Sequence, residues 1–270
     1  MSKARDGVED LKAIDANLAA KAPIASPVFT GNVGIGVVPE AWDSNFTAVQ
    51  LGDGALMGGV SGTYGTAVSS NAYFDGTWRY LTTGEASFHH QYNGQHVLNV
   101  AASGTADAAI SWNNAVVIDN AGRVTTPNQP SFKVTGDNAA VSANGFGVVP
   151  FNLDSGGNDR FDNGNNYNTT NYRFVAPVSG KYFVSSNVRM DSMSGTYFRL
   201  LITKNGSENS NNGVHSIIGS GKSTNYHTMT VSGILNCAAN DYLEVKYMSS
   251  DDTSWNLTLS ESGFSGFLIG

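Results

Sequence analysis

The chain has 270 residues, 28.4 kDa, and 22 acidic against 15 basic side chains, for a formal net charge of −7. Charged residues make up only 14%, against about 25% in an average soluble domain, while glycine reaches 31. Helix surfaces are usually covered with Glu, Lys and Arg, so this composition argues for strands and turns. The acidic balance also removes the basic footprint of a nucleic-acid binder. One cysteine, Cys237, excludes an intrachain disulfide framework and a multi-thiolate metal site; it reads as a small buried apolar residue. The N-terminal stretch lacks the apolar core of a signal peptide, and no run reaches the roughly 18–20 apolar residues of a membrane span. Synthesis in a cytoplasm without membrane insertion is the expectation.

In residues 8–22, Leu11, Ile14 and Leu18 fall at spacings of three and four, which predicts a short helix with an a/d seam. The seam ends at Lys21 and is too brief to hold an isolated coiled coil. The helix therefore needs a neighbour, as the top of a bundle or as a peg in another protein. Pro23 and Pro27 stop it and hold residues 22–31 extended. Residues 1–31 are thus read as an anchor and linker.

Residues 32–129 change to short β runs punctuated by glycine. Residues 33–38, 96–100 and 115–119 are strand candidates, and Asp75-Gly76 between aromatics marks a hairpin in residues 72–81. A stretch so poor in bulky apolar residues struggles to bury a core as one monomer. It is expected to pack against copies of itself.

Residues 130–270 are the most domain-like. Strand candidates span residues 131–134, 172–175, 181–189, 197–203, 227–235, 242–247 and 263–269. Alternation is clear where Tyr242, Glu244 and Lys246 face one way and Leu243, Val245 and Tyr247 the other. Several strands about ten residues apart, joined by Gly, Asn and Asp turns, predict a β-sandwich or jelly roll.

Two resemblances add to this reading. Phe132, the pair Phe151-Asn152, then Tyr167, Phe174, Pro177, Gly180, Tyr182 and Phe183, and a closing Phe264-Ser-Gly266-Phe267-Leu268 form an ordered series. It resembles the globular head of complement component 1q, a jelly roll of the complement/TNF-like superfamily. Two departures are Asn168 after the signature Tyr and residues 238–241 before the penultimate strand. Residues 21–31, 71–80, 104–112 and 117–124 look like bacteriophage tail-fibre shaft sequence. Together the resemblances imply a mainly β chain: short helix, β-rich trimeric shaft and a C-terminal jelly roll of the ten-stranded type. They imply a homotrimeric virion fibre whose head meets a host-surface glycan or protein, with another virion protein held by the N-terminal segment. A head fibre or decoration protein without a receptor role, and a polysaccharide depolymerase, are the alternatives.

No catalytic residue is assigned and no enzyme is expected. His89-His90 and His96 suggest a metal site, but adjacent strand residues point to opposite faces. No metal or other cofactor is expected; calcium at Asp251-Asp252 is the alternative, and that ion needs six to eight oxygens. Counting strands back from the C-terminus places residues 205–225 and 249–261 on loops at the end of the head far from its termini. Asn211, Asn212 and His215 on the first, Tyr226 into which it leads, and Asp251, Asp252 and Trp255 on the second become the receptor-contact candidates. Aromatic faces beside amide and carboxylate groups suit sugars.

Overall fold

The computed structural model describes residues 28–59, 65–137, 140–143, 145–157, 159–193, 197–209, 213–219, 224–249 and 255–270. Among these, every regular element is a strand. The expected helix with Leu11, Ile14 and Leu18 lies outside the described residues. The chain divides into two compact units that meet between Pro127 and Asn128.

The first unit is one eight-stranded sheet and a small ladder. Its strands are β1 (Val33–Ile35), β2 (Phe46–Leu51), β3 (Gly54–Gly59), β4 (Thr66–Ser70), β5 (Tyr73–Phe74), β6 (Trp78–Arg79), β7 (Gly84–Tyr92), β8 (Gln95–Gly104), β9 (Asn113–Ile118) and β10 (Val124–Thr125). The order is β1-β2-β3-β4-β7-β8-β9-β10, with β5 and β6 paired beside it. Alternation produces two faces. In β2, Phe46, Ala48 and Gln50 are buried while Thr47 and Leu51 are exposed. Around the Asp75-Gly76 turn, Gly76 takes φ of +107°, a conformation an L side chain resists. That turn brings Phe74 opposite Trp78. Both rings then pack over Phe46, Phe88 and Met57 to cover one face of the sheet.

No described residue packs over the other face in the same way. Across it, Val49, Leu56, Val68, His89, Leu98 and Val116 lie in register from β2 to β9. Leu56, Val68 and Leu98 are 48%, 53% and 44% exposed. His89 and His90 do fall on opposite faces. His89 Nε2 sits 3.4 Å from His96 Nδ1 on the bare side, while His90 stacks on Phe88 on the covered side.

The second unit is a sandwich of two sheets. The first sheet runs β14 (Phe161–Asn163), β11 (Ser131–Thr135), β22 (Trp255–Leu268), β17 (Gly180–Met193), β20 (Thr224–Cys237), with β12 (Ala140–Ala143) also on β22. The second runs β15 (Tyr167–Asn168), β16 (Arg173–Val175), β21 (Tyr242–Ser249), β18 (Tyr197–Lys204), β19 (Gly213–Gly219), with β13 (Phe146–Val148) on β21. Taking the eight principal strands in chain order, one sheet reads first, eighth, third, sixth and the other second, seventh, fourth, fifth. Successive strands keep crossing between sheets, and that pattern is a jelly roll.

The core explains the aromatic series. Phe132 stacks on Phe174 at 4.4 Å and meets Phe264 edge-on at 4.8 Å. Phe151, Tyr167 and Tyr182 join the same buried cluster. The two tyrosines escape the cost of a buried hydroxyl by donating to the Phe151 and Val178 carbonyls. Burial, first among the causes, pushes the Tyr167 phenol well above its ordinary range. Gly266 is forced: a Cβ there would lie 2.9 Å from the Phe183 carbonyl oxygen and from Val184 Cγ1. Asn152 and Asp137 clasp each other, Asn152 Oδ1 accepting from the Asp137 N–H at 3.0 Å. Cys237 is buried, and its thiol is pushed up to about 11, mainly by that burial.

Trp255 corrects an expectation. It is 1% exposed and packs edge-on against Phe198 at 5.5 Å and Tyr247 at 5.0 Å. Residue 255 is the first of β22, where the alternation already points odd-numbered side chains inward, so the indole is core and does not face a ligand. Replacing Trp255 with Ala should therefore cost about 3–5 kcal/mol in urea unfolding. A surface tryptophan would change stability by less than about 0.5 kcal/mol.

Candidate functional site

The outward face of the β11-β22-β17-β20 sheet changes chemistry along its length. Nearest the termini, Phe183 and Phe267 face each other at 5.5 Å and Ile234 is 60% exposed. Next come Ser185, Ser232 and Ser265 in register. At the far end stand Arg189, Asp191, Tyr226, Thr228 and Glu261.

A bulge builds that far end. Up to Leu259, β22 buries its odd-numbered residues; from Ser262 it buries the even ones, and Ser260 and Glu261 are both exposed between. Opposite it, the register slips between Asn187 and Arg189. Ser262 Oγ accepts the Arg189 N–H at 2.9 Å and donates to the Thr258 carbonyl at 2.7 Å, pinning the bulge. Glu261 is thereby carried to the Arg189 guanidinium, with which it forms an ion pair. Arg189 Nε also donates to Asp191 Oδ1 at 3.1 Å, and Asp191 Oδ2 accepts from Thr258 Oγ1 at 2.6 Å. The Glu261 carboxylate first, then Asp191, raises the arginine above its ordinary range. Its guanidinium lies 4.4 Å from the Tyr226 ring centroid. Tyr226, 67% exposed, is thus an aromatic plate steadied by a cation. A shallow depression of about 450 Å³ opens beside it, edged by His227 and Thr228. The arrangement offers a flat ring, hydroxyls, a guanidinium and carboxylates to a polar partner.

The outward face of the second sheet holds charge in an unusual depth. Glu244 is 1% exposed, ion-paired with Arg173 at 2.8 Å and with Lys246 at 3.4 Å. Lys246 also donates to the Gly206 carbonyl at 2.9 Å. Two rows along, Arg199 Nη2 lies 3.1 Å from His215 Nδ1. An arginine can only donate, so Nδ1 accepts and the imidazole proton sits on Nε2. That Nε2 is buried with no partner among the described residues. Burial and then the Arg199 charge lower the His215 pKa.

Of the sequence-predicted contacts, Tyr226 is exposed in the depression, His215 lies on the other sheet's outer face, and Trp255 is core. Asn211, Asn212, Asp251 and Asp252 lie outside the described residues, and the calcium alternative with them. The loop placement needs correction. Residues 205–225 are not one loop, because β19 lies within them. Each antiparallel strand reverses direction, so the uncounted strand moves the described stretch 205–209 to the opposite end. Its flanks show this: Asn205 bonds Asp241 and Tyr242, Ala239 bonds Ser179, and Lys181 bonds the C-terminal Gly270. Within residues 249–261, β22 already begins at Trp255. Arg189 and Glu261 were missed; the doubled exposed pair Ser260-Glu261 was the only signal, visible as a break in alternation.

No family model matches the chain, and no curated protein does. Solved structures do. The globular domain of zebrafish complement 1qA protein is similar over 53% of this chain and 98% of that one, at 18% identity and TM-score 0.37. Murine APRIL is similar over 52% of this chain and 99% of that one, at 12% identity and TM-score 0.39.

His215 gives the second unit a pH signature. Its pKa is depressed in the fold, so between that value and about 6.5 the unfolded chain binds a proton that the native one refuses. This contribution to stability is present above about pH 6.5 and is lost as pH falls. Thermal melts should drop between pH 7 and pH 5, and His215→Gln should flatten that part of the profile.

Proposed function

We propose that the chain is a non-enzymatic structural fibre of a bacteriophage virion, a homotrimer whose jelly-roll unit meets a host surface. The observation that carries self-association is the bare apolar row of the first unit. Isolated exposed apolar residues are ordinary; a contiguous row across strands β2 to β9 marks a surface meant for covering. The exposed Phe267 and Ile234 beside Phe183 supply a second such patch on the jelly roll. Covering one large aliphatic side chain is worth about 1.5–3 kcal/mol, so a few such residues per copy suffice to drive association.

Three copies present three Arg189–Tyr226 surfaces. Contacts that are weak singly then hold together through effective concentration. The phage assignment and the N-terminal anchor draw their support from the shaft-like segments of residues 21–31, 71–80, 104–112 and 117–124. The far-end surface is the adhesive one in this reading, because it joins an exposed aromatic ring to hydroxyl and charged groups.

Sedimentation of the full chain should give the mass of a trimer, and a stable monomer would overturn the reading. Leu56→Glu with Leu98→Glu should shift the distribution toward single chains. Tyr226→Ala, with its trimer intact, should reduce adhesion to host cells by about tenfold or more, since one loss is repeated at each linked site.

A further inference from the structure

The covered face of the first unit's sheet is not closed everywhere. Where the aromatic layer ends, a cleft of about 380 Å³ remains, walled by Phe74, Trp78, Phe88 and Trp112 and edged by Asn99 and Asn114. We propose that this cleft is a saccharide-binding site for one or two rings of a neutral glycan, separate from the Arg189–Tyr226 surface and independent of the fibre assignment.

The wall is aromatic and rigidly built. Trp78 and Phe88 are 4.5 Å apart, and Trp112 is parallel to Phe88 within 29° at 5.5 Å. The ladder β5–β6 fixes Trp78 from one side, and Trp78 meets Trp112 edge-on at 6.0 Å. Pyranose rings have one face of C–H groups and a rim of hydroxyls. The first needs a flat apolar plate, the second needs groups that both donate and accept. Aromatic rings supply the plate. Asparagine amides supply both hydrogen-bonding senses in one planar group, although Asn99 Nδ2 already donates to the Phe88 carbonyl at 3.4 Å. Asn99 and Asn114 stand directly opposite each other on β8 and β9, so two amides flank the plate at neighbouring positions.

Charge selects the ligand class. Apart from the His90 imidazole, no ionisable side chain lines the cleft among the described residues. There is no guanidinium or ammonium to match a uronate or phosphate, so a neutral glycan fits best. The volume lies in the small-molecule range of about 300–1,000 Å³ and admits one or two rings. A second copy of the chain is the weaker occupant. The flat aliphatic face on the other side of the sheet suits another sheet, whereas this side is concave and bordered by amides. The Trp112 indole N–H is buried with no acceptor among the described residues, so packing against Phe88 and Trp78 alone sets the ring's place in the wall.

The test uses the full chain in its native assembly, titrated with cellobiose, maltose, lactose and N,N′-diacetylchitobiose, and with digalacturonate as the charged control. Indole fluorescence and titration calorimetry are both read. At least one neutral disaccharide should bind saturably at millimolar concentration, and digalacturonate more weakly. Asn114→Ala, at an exposed edge position, should weaken binding about three- to tenfold, the value of one hydrogen bond. Trp112→Phe should shift both affinity and the fluorescence change, with melting temperatures checked for each variant. Absence of saturable binding by all four neutral sugars overturns the proposal. So does binding unchanged in both variants, or native indoles shielded from acrylamide because another copy fills the cleft. The sugar titrations and the two variants do not bear on sedimentation mass, and shielding by another copy would count against the sugar site while leaving self-association intact, so the fibre reading stands or falls separately.

Discussion

A β-sheet has two faces, and the described residues of the first unit fold bulky side chains over only one of them. That imbalance governs the rest of the molecule. Phe46, Met57 and Phe88 are covered by Phe74 and Trp78 from a two-residue ladder, while Leu56, Val68 and Leu98 stay exposed among the described residues. The jelly roll solves the same problem differently, by facing two sheets together over a shared aromatic centre. It too leaves aromatic and aliphatic groups outside, at Phe267 and Ile234. Both units therefore have a self-sufficient interior and an unfinished exterior.

The same division assigns chemistry to surfaces. Flat aliphatic rows with few hydrogen-bonding groups suit another sheet of the same kind. Concave or tilted aromatic groups bordered by amides, hydroxyls and ions suit polar partners. The Trp78–Trp112 cleft and the Arg189–Tyr226 plate belong to the second class. In each, a short irregularity sets the geometry: a glycine turn at Gly76 in one, a bulge at Glu261 in the other.

Much of this was legible in the sequence, and the reason is the period of two. The hairpin around Asp75-Gly76 and the alternation of residues 242–247 fold as read, because side-chain facing follows directly from strand parity. Three things were not legible. Strand β19 is short, carries polar residues on both faces at His215 and Ser216, and sits between Asn-, Ser- and Gly-rich stretches, so it reads as part of one loop and the stretch after Lys204 falls at the wrong end of the sandwich. Trp255 stood beside Asp251 and Asp252 and was grouped with them, although parity with Leu257 and Leu259 would have put it inside. Glu244 alternates as an exposed residue does, yet Arg173 and Lys246 make its burial tolerable. Ion pairing of that kind leaves no periodic trace.

The bulge in the last strand has a wider consequence. On its two sides, inward and outward positions carry opposite parity, so the strand behaves as two independently phased halves joined at Ser260-Glu261. Substitutions or paired insertions before residue 260 can remodel the far rim without re-registering the stretch that closes over Phe132 and Phe183. Removing a single residue at the junction would instead merge the two halves into one regular alternation and erase the bulge that carries Glu261 to Arg189. The rim that carries Arg189 and Glu261 thus hangs on a phase offset one residue wide inside an otherwise regular strand.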